Sequence, residues 1–464
     1  MTLHLDGGGS LPVAAGTSTA VAAGLRRIDG RPVAFFRLEG GKHRGAIGPP
    51  EGIVLERIVN RAVELGVPLV GVMATSGADI HEGVASLHAW GRVARAVVAQ
   101  ASGVVPVVFA VIGPCTSGPA LLLGVADHVV MTPDAFAYVS GPAAVAEFTG
   151  VTIDHHRLGG GAVHDSRTGV ASLVAADEDD ALLAVADLLA YLPSHHLQDP
   201  PAETADDPLD RACPRAAEAV PEAGRTSYDV RTVVADVLDA GTFLEVRARY
   251  APNMVTGYGR LGGRAVAVIA NQPRERAGTL DIEASRKAAR FVQCADAFNT
   301  PILTFVDTPG FEPGKDLEWR GMIRHGAELV HAYAAATVPR ICLVLRKAYG
   351  GAYIVMDSKE LGNDACFAWP SAEIAVMGAK GAVQVLFGKR LAAMESAAER
   401  DQTRAGLEAD YETRFCTPVL AAERGLVDDI IDPLDTRRVL GGALAGLATK
   451  RERATSRKHT ISPC

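Results

Sequence analysis

Chemistry that announces itself by spacing is missing from this sequence. The seven cysteines, at 115, 213, 294, 342, 366, 416 and 464, are scattered and odd in number, and no C-x-x-C pair occurs. Neither a disulfide framework nor a zinc ribbon fits that pattern. No apolar run approaches the roughly 18 residues of a membrane span, and Met1 to Gly16 lacks a basic stretch ahead of an apolar core. The reading is a cytoplasmic protein with no membrane contact. A net charge of -8 leaves no basic field to attract nucleic acid. The histidine pairs His155-His156 and His195-His196 are chain neighbours whose side chains diverge, and no third ligand is spaced for them, so no metal bound by this chain is expected. No Ser/His/Asp constellation stands out either.

What is present is length and repetition. At 464 residues, 48% of them hydrophobic and 22% charged, the chain can bury two or three cores. Arg27-Ile28-Asp29-Gly30-Arg31 recurs as Arg260-Leu261-Gly262-Gly263-Arg264, Val67-Pro68-Leu69-Val70 as Thr300-Pro301-Ile302-Leu303, and Val105-Pro106-Val107 as Val338-Pro339-Arg340, each 233 positions on. One offset held at three anchors marks an internal duplication. Each half reads as a strand pair, a helix, a Pro-started apolar strand ending in a Gly turn, a second helix, and a second such strand and turn. The helices are expected near Val54–Leu65 and Ala85–Ala101, then Asp281–Phe298 and Arg320–Ala336, which implies parallel βαβ units. Leu197 to Ser227, rich in Pro, Ala and acidic residues, reads as a linker. Ala397 to Tyr411 reads as a charged amphipathic helix, and Arg451 to Cys464 as a basic, extended tail.

The stretch Arg346-Lys347-Ala348-Tyr349-Gly350-Gly351-Ala352-Tyr353 follows the apolar run Ile341 to Leu345 and precedes the helix-like Ile354-Val355-Met356. A strand that breaks into a glycine turn and then a helix exposes amides with no intrahelical partner, which suits an oxyanion. The alternative is a tight turn with no chemistry. The offset places Gly351 on Gly118, Gly350 on Ser117 and Ala352 on Pro119, so each half presents such a turn. Two matched anion-stabilising turns suit a reaction in which a carbonyl oxygen becomes negative on each of two reactants. One strand earlier, Ala74-Thr75-Ser76-Gly77 and Asp307-Thr308-Pro309-Gly310 form a second matched pair that shapes pocket walls. Tyr349 and Tyr353 read as packing residues, and His325 as a ligand contact or a helix cap.

These residues carry a resemblance. The segments Tyr250-Ala251-Pro252-Asn253-Met254-Val255-Thr256-Gly257, Ala270-Asn271-Gln272-Pro273, Ser285-Arg286-Lys287-Ala288-Ala289-Arg290-Phe291, Phe305-Val306-Asp307-Thr308-Pro309-Gly310-Phe311, Lys347 to Tyr353, and Ala368-Trp369-Pro370 running into Ala372 to Ala379 resemble the carboxyltransferase β subunit of biotin-dependent acyl-CoA carboxylases, of the propionyl-CoA carboxylase type. The first half is similar more faintly, through Gly113-Pro114-Cys115, Leu158-Gly159-Gly160 with His164, and Asp177 to Asp180 before Tyr191-Leu192-Pro193-Ser194. The likeness covers most of the chain from about Gly24 onward.

The resemblance implies two tandem crotonase-like (ClpP/crotonase) ββα superhelical α/β domains. The first, 1–228, is the acyl-CoA side and ends in the linker at about 197–228; the second, 229–464, is the biotin side. It implies a homo-oligomeric ring, most simply a hexamer, with sites between domains of different protomers. Ser117 and Gly118 would hold the acyl-CoA thioester oxygen, and Gly351 and Ala352 the ureido oxygen of carboxybiotin. Gly77, Gly113, Gly310, Gly350, Tyr353 and Ile354 would line the substrate pockets. Carboxybiotin releases carbon dioxide, the biotin enolate takes the acyl α-proton, and the acyl enolate captures the carbon dioxide, so no side-chain base is required. With neither an Ala-Met-Lys-Met biotin-attachment sequence nor a Gly-rich ATP site, the chain would rely on a biotin carboxylase and biotin carboxyl carrier partner.

The sequence departs from the family pattern in three places. The first turn, normally Gly-Gly-Ala, is Ser117-Gly118-Pro119. The upstream Asp-Ser-Gly-Gly-Ala-Arg is Ala74-Thr75-Ser76-Gly77-Ala78-Asp79, which loses an acid and a base and gains a new acid. The chain also begins some tens of residues short of such subunits. Two other readings stay open: a non-catalytic assembly subunit with a degenerate acyl-CoA site, and a malonyl-type acyl-CoA decarboxylase.

Overall fold

The structure is a computed structural model that describes residues 20–41, 43–221, 226–450, 452 and 460–463. The Met1–Gly16 stretch and most of the basic tail lie outside the described residues. The chain divides into two units. The first takes residues up to Pro201 together with Val246–Tyr250 and Ala297–Asn299; the second takes Ala202–Glu245, Ala251–Asp296 and Thr300 onward.

In the first unit β1 (Val21–Ile28) and β2 (Arg31–Leu38) pair antiparallel across the two-residue turn Asp29-Gly30, whose φ values are 49° and 73°. Two left-handed residues give a hairpin the twist its strands need, and Asp-Gly is a pair that tolerates this. The strands β3 (Leu69–Thr75), β4 (Val107–Thr116), β5 (His128–Met131), β6 (Phe136–Tyr138) and β7 (Leu173–Val174) then add in parallel, in the order β1-β2-β3-β4-β5-β7, with β6 beside the far end of β4. Parallel pairs need crossovers. α1 (Pro49–Leu65) joins β2 to β3, and α2 (Val84–Ala96), continued by the wide turn Val97–Ala101, leads to β4. α1 starts earlier than its apolar spacing predicts because Pro49-Pro50 fits the first helical turn, where no amide donor is needed. Its buried residues Val54, Leu55, Ile58, Val59 and Ala62 recur every three or four positions and form one face. Leu55, Ile58 and Val59 share a core with Leu69, Met73, Val93 and Phe109. Burial of each large side chain contributes roughly 1.5–3 kcal/mol, and Ile58→Ala would cost about 2–5 kcal/mol.

The second unit repeats the plan. β8 (Leu244–Glu245) and β9 (Met254–Leu261) precede β10 (Arg264–Asn271), β11 (Ile302–Thr308), β12 (Arg340–Tyr349), β13 (Ala365–Ala368), β14 (Glu373–Ala375) and β15 (Asp429–Ile430), in the order β15-β13-β12-β11-β10-β9-β8 with β14 beside β12. The β9–β10 hairpin turns on Gly262-Gly263, with φ of 60° and 77°. The helices Ile282–Ala297 and Met322–Ala335 make the crossovers. Register breaks between Met73 and Thr75 in the β3–β4 pair and between Val306 and Thr308 in the β11–β12 pair. The two irregularities sit 233 positions apart. Each bends the sheet just before a strand-to-helix turn.

The stretch expected as a linker differs. From Ala202 it belongs to the second unit, and Cys213 and Ala216 are fully buried in that unit's core. Its acidic and proline-rich composition serves a buried cation: Arg437, with no exposed surface, donates to the carbonyls of Asp207 and Pro208 (2.9 Å each) and to Asp239 Oδ1 (2.6 Å). A charge removed from water needs such partners. The charged helix runs from Ala397 to Phe415 and buries none of its residues.

Candidate active site

In the second unit β12 ends at Tyr349, Gly350 turns the chain at φ 61°, and the helix Gly350–Val355 begins at once. Gly351 is exposed, Ala352 is buried, and the amides of this first turn have no intrahelical acceptor. A Cβ at Gly351 would meet only Phe311, at 3.7 Å, and none at Gly310 would meet anything within 4 Å. The backbone here borders open space.

Asp307, at the end of β11, holds the strand that carries this turn. Its Oδ1 accepts the Lys347 N–H (3.1 Å), and its Oδ2 accepts the Tyr228 hydroxyl (2.9 Å) and Arg346 Nε (3.1 Å). Its own N–H donates to Asn271 Oδ1 at 3.2 Å. The Arg346 guanidinium lies over the Tyr228 ring, 5.2 Å from its centroid, and donates to the Thr226 carbonyl. Burial pushes the Asp307 carboxyl up, and Arg346 opposes that. On the other side the Tyr349 hydroxyl donates to Glu373, and β14 pairs with Lys347 to Tyr349. Burial raises both phenols, Tyr349 with help from Glu373, so neither ionises near neutrality. Tyr353 is buried, while Ile354 is 45% exposed at the helix start. His325 bonds Glu328 through Nδ1 at 2.7 Å, one turn along its own helix.

The first unit has the same turn with different support. β4 ends at Thr116, and Ser117 takes φ 63° and ψ -143°. The Ser117 N–H donates to the Tyr138 carbonyl (2.9 Å) on β6, and its carbonyl accepts from Ala120 (3.1 Å). Gly118 opens a single helical turn with Pro119 buried behind it. The Trp90 indole covers Gly118: a Cβ there would lie 2.5 Å from Cε2 and 2.7 Å from Nε1. Gly77 passes beside the turn, where a Cβ would be 3.1 Å from the Ser117 Cβ. The positions matching Asp307 and Arg346 are Ala74 and Gly113, which pack directly, with a Cβ at Gly113 only 3.1 Å from the Ala74 Cβ. Among the described residues, the first turn therefore has no counterpart of the Asp307–Arg346 ion pair behind it. His164 bonds the Ala137 carbonyl (2.9 Å) and Thr168 (2.7 Å), and burial lowers its pKa.

Gly77 thus lies beside Ser117 in the first unit, next to Gly118, while Gly113 sits four residues before Ser117 on β4 against Ala74; in the second, Gly350, Gly351, Ala352, Tyr353 and Ile354 share one turn and helix start, and Gly310 lies just past the end of β11 beside open space. Sequence reasoning missed Trp90 and the brace of Asp307, Arg346 and Tyr228. Arg346 was the available signal, because an arginine in a buried strand requires a partner.

The carboxyl transferase domain family matches residues 12–461. The chain is 43% identical over 453 residues to the propionyl-CoA carboxylase beta chain of Saccharopolyspora erythraea, covering 96% of this chain and 83% of that one. It is 44% identical to the propionyl-CoA carboxylase carboxyltransferase subunit of Haloferax mediterranei, with 96% and 85% coverage. A solved transcarboxylase 12S, described as a hexamer with methylmalonyl-coenzyme A and methylmalonic acid bound, superposes with a TM-score of 0.92 at 40% identity, over 96% of this chain and 85% of that one. The two ββα units are crotonase-like, and the chain belongs to the carboxyl transferase domain family, the enzymatic subunits of biotin-dependent carboxylation.

Proposed function

We propose that this chain transfers a carboxyl group from carboxybiotin, borne by a biotin carboxyl carrier partner, to the α-carbon of a short- or medium-chain acyl-CoA, as part of a hexamer. The observation that carries this reading is the pair of strand-to-helix turns at Gly118 and Gly351, placed 233 residues apart on one backbone plan. Carboxybiotin supplies both the carbon dioxide and, once decarboxylated, the base. The chain's own part is to hold two oxygens as they gain charge. The N–H groups of Gly351 and Ala352 receive the ureido oxygen, in a recess that the missing side chains of Gly310 and Gly351 leave open. The Gly118 N–H receives the thioester oxygen. No carboxylate or imidazole poised as a base is needed, in keeping with phenols held protonated at Tyr349 and Tyr353.

The test is carboxylation of acetyl-, propionyl- and butyryl-CoA by the purified chain with its biotinylated partner, together with light scattering of the chain alone. Product on at least one acyl-CoA and a closed hexamer are expected. A stable monomer with no product on any would defeat the reading. A second reading, a subunit that assembles but does not turn over, is favoured by one observation: Pro119 has no N–H, and that of Ser117 is already bonded to Tyr138.

A further inference from the structure

The acid that stands where the family pattern has arginine, Asp79, faces two histidines. His43 Nδ1 lies 2.6 Å from Asp79 Oδ2, and the rings of His43 and His81 stack with centroids 4.3 Å apart and planes 25° off parallel. One ligand atom from each of the three residues falls within 4.8 Å of the others. We propose that His43, Asp79 and His81 form a binding site for a borderline divalent cation of the Zn2+ class.

The ligand chemistry selects the ion. Two imidazoles and one carboxylate suit zinc, cobalt or nickel and disfavour magnesium and calcium, which prefer all-oxygen shells. Three protein ligands leave a fourth position for water. The Asp79 carboxylate already faces the cluster, with Oδ2 on His43 Nδ1 at 2.6 Å. Its second oxygen, Oδ1, accepts the His81 N–H at 3.0 Å and fixes the rotamer. Metal bonds of about 2.0–2.2 Å at tetrahedral angles need the His43–Asp79 atoms to open to roughly 3.4 Å. Both rings have room for that rotation, with His43 38% exposed and His81 exposed. A plain His43–Asp79 ion pair explains one ring only and leaves the stacked His81 without a role.

The backbone under the cluster is already fastened. Ser76 Oγ donates to the His43 carbonyl (2.7 Å), Ser76 N–H to Arg44, Ile47 N–H to Gly77, and Asp79 N–H to Ile47. Ser86 Oγ donates to the Asp79 carbonyl at 2.6 Å. The cation would tie the loop that contains His43 to the segment 75–83, whose Gly77 abuts Ser117. That segment follows Ala74, where the other unit has its Asp307 brace. The ion would supply by coordination the support that the first turn lacks.

The experiment uses the full chain, stripped with chelator and dialysed against micromolar Zn2+ or Co2+ alone, with bound metal counted by mass spectrometry and Co2+ followed by its visible absorption. One equivalent per chain is expected, with a tetrahedral Co2+ band and a Tm raised by Zn2+ but not by Mg2+. His81→Ala and Asp79→Asn should each weaken binding at least about tenfold. His81 contributes only its backbone to the Asp79 cap, so His81→Ala keeps the fold, which circular dichroism checks. No retained metal, or retention undiminished in His81→Ala, or loss only in a His155→Ala/His156→Ala double variant, would overturn the proposal.

Discussion

Ser117 and Gly350, 233 positions apart, hold the same left-handed φ, 63° and 61°, at the first step beyond their strands. With ψ at -143°, Ser117 occupies backbone space that is nearly exclusive to glycine and costs on the order of 1–3 kcal/mol for a side chain. Ser117→Gly should therefore raise stability by about 1 kcal/mol after the entropy of the added glycine is subtracted. The denaturation midpoint measures this; a lower midpoint would mean the serine hydroxyl compensates for its strain.

Gly118 and Gly351 should respond differently to the same substitution. An alanine methyl at Gly118 drives into Trp90 at 2.5 Å, whereas at Gly351 it makes ordinary contact with Phe311 at 3.7 Å. Gly118→Ala should cost about 1–3 kcal/mol, and Trp90→Leu in the same chain should recover most of it. Gly351→Ala should leave the melting temperature nearly unchanged.

Pro119→Ala restores an N–H at the position that matches Ala352. Because the Ser117 amide is committed to Tyr138 at 2.9 Å, the Gly118 amide is the remaining candidate donor of the turn. One oxyanion donor is typically worth about 100- to 1000-fold in kcat. Pro119→Ala should raise kcat on acyl-CoA on the order of tenfold or more, and an unchanged rate would show that residue 119 does not face the thioester.

Ile354, 45% exposed where the second turn enters its helix, should bias selection among acyl chains. A methylene accommodated by an apolar wall is worth about 1–3 kcal/mol. Ile354→Asp should shift the ratios of kcat/KM across acetyl-, propionyl- and butyryl-CoA, and constant ratios would place Ile354 away from any acyl pocket.

Asp357 predicts a pH dependence. It is fully buried, 2.8 Å from Arg340, and burial pushes its carboxyl up to about 6 against that cation's pull. Its value in the unfolded chain is about 3.9. The folded state thus binds the proton more tightly, so this group's contribution is present below about pH 4 and is lost as pH rises through 6. Relative to wild type, Asp357→Asn should gain on the order of 2–3 kcal/mol between pH 4 and 6.5, then level off. Urea midpoints of both proteins across that range provide the measurement.

The duplication was legible because hairpin turns and proline-started strands are short, local signals. Asp29-Gly30 and Gly262-Gly263 mark their hairpins without reference to anything distant. The turn at Gly350 could be located for the same reason. Contacts between remote residues were not legible. The acidic run around Asp207 looks solvated until Arg437 is seen buried against it, and neither Trp90 over Gly118 nor His43 beside His81 follows from any spacing. Such pairs are created by the crossover helix and the loop ahead of it, which place distant segments on one side of the sheet.

The exchange of Asp307 and Arg346 for Ala74 and Gly113 has a consequence for what each turn tolerates. Removing either charge alone from behind the second turn would strand the other in the interior, at a cost of several kcal/mol. The second turn is therefore locked to its paired charges, since no single substitution at 307 or 346 leaves the remaining partner satisfied. The first turn, backed by Ala74 and Gly113, carries no such lock, and its neighbourhood is the one that has departed from the family pattern.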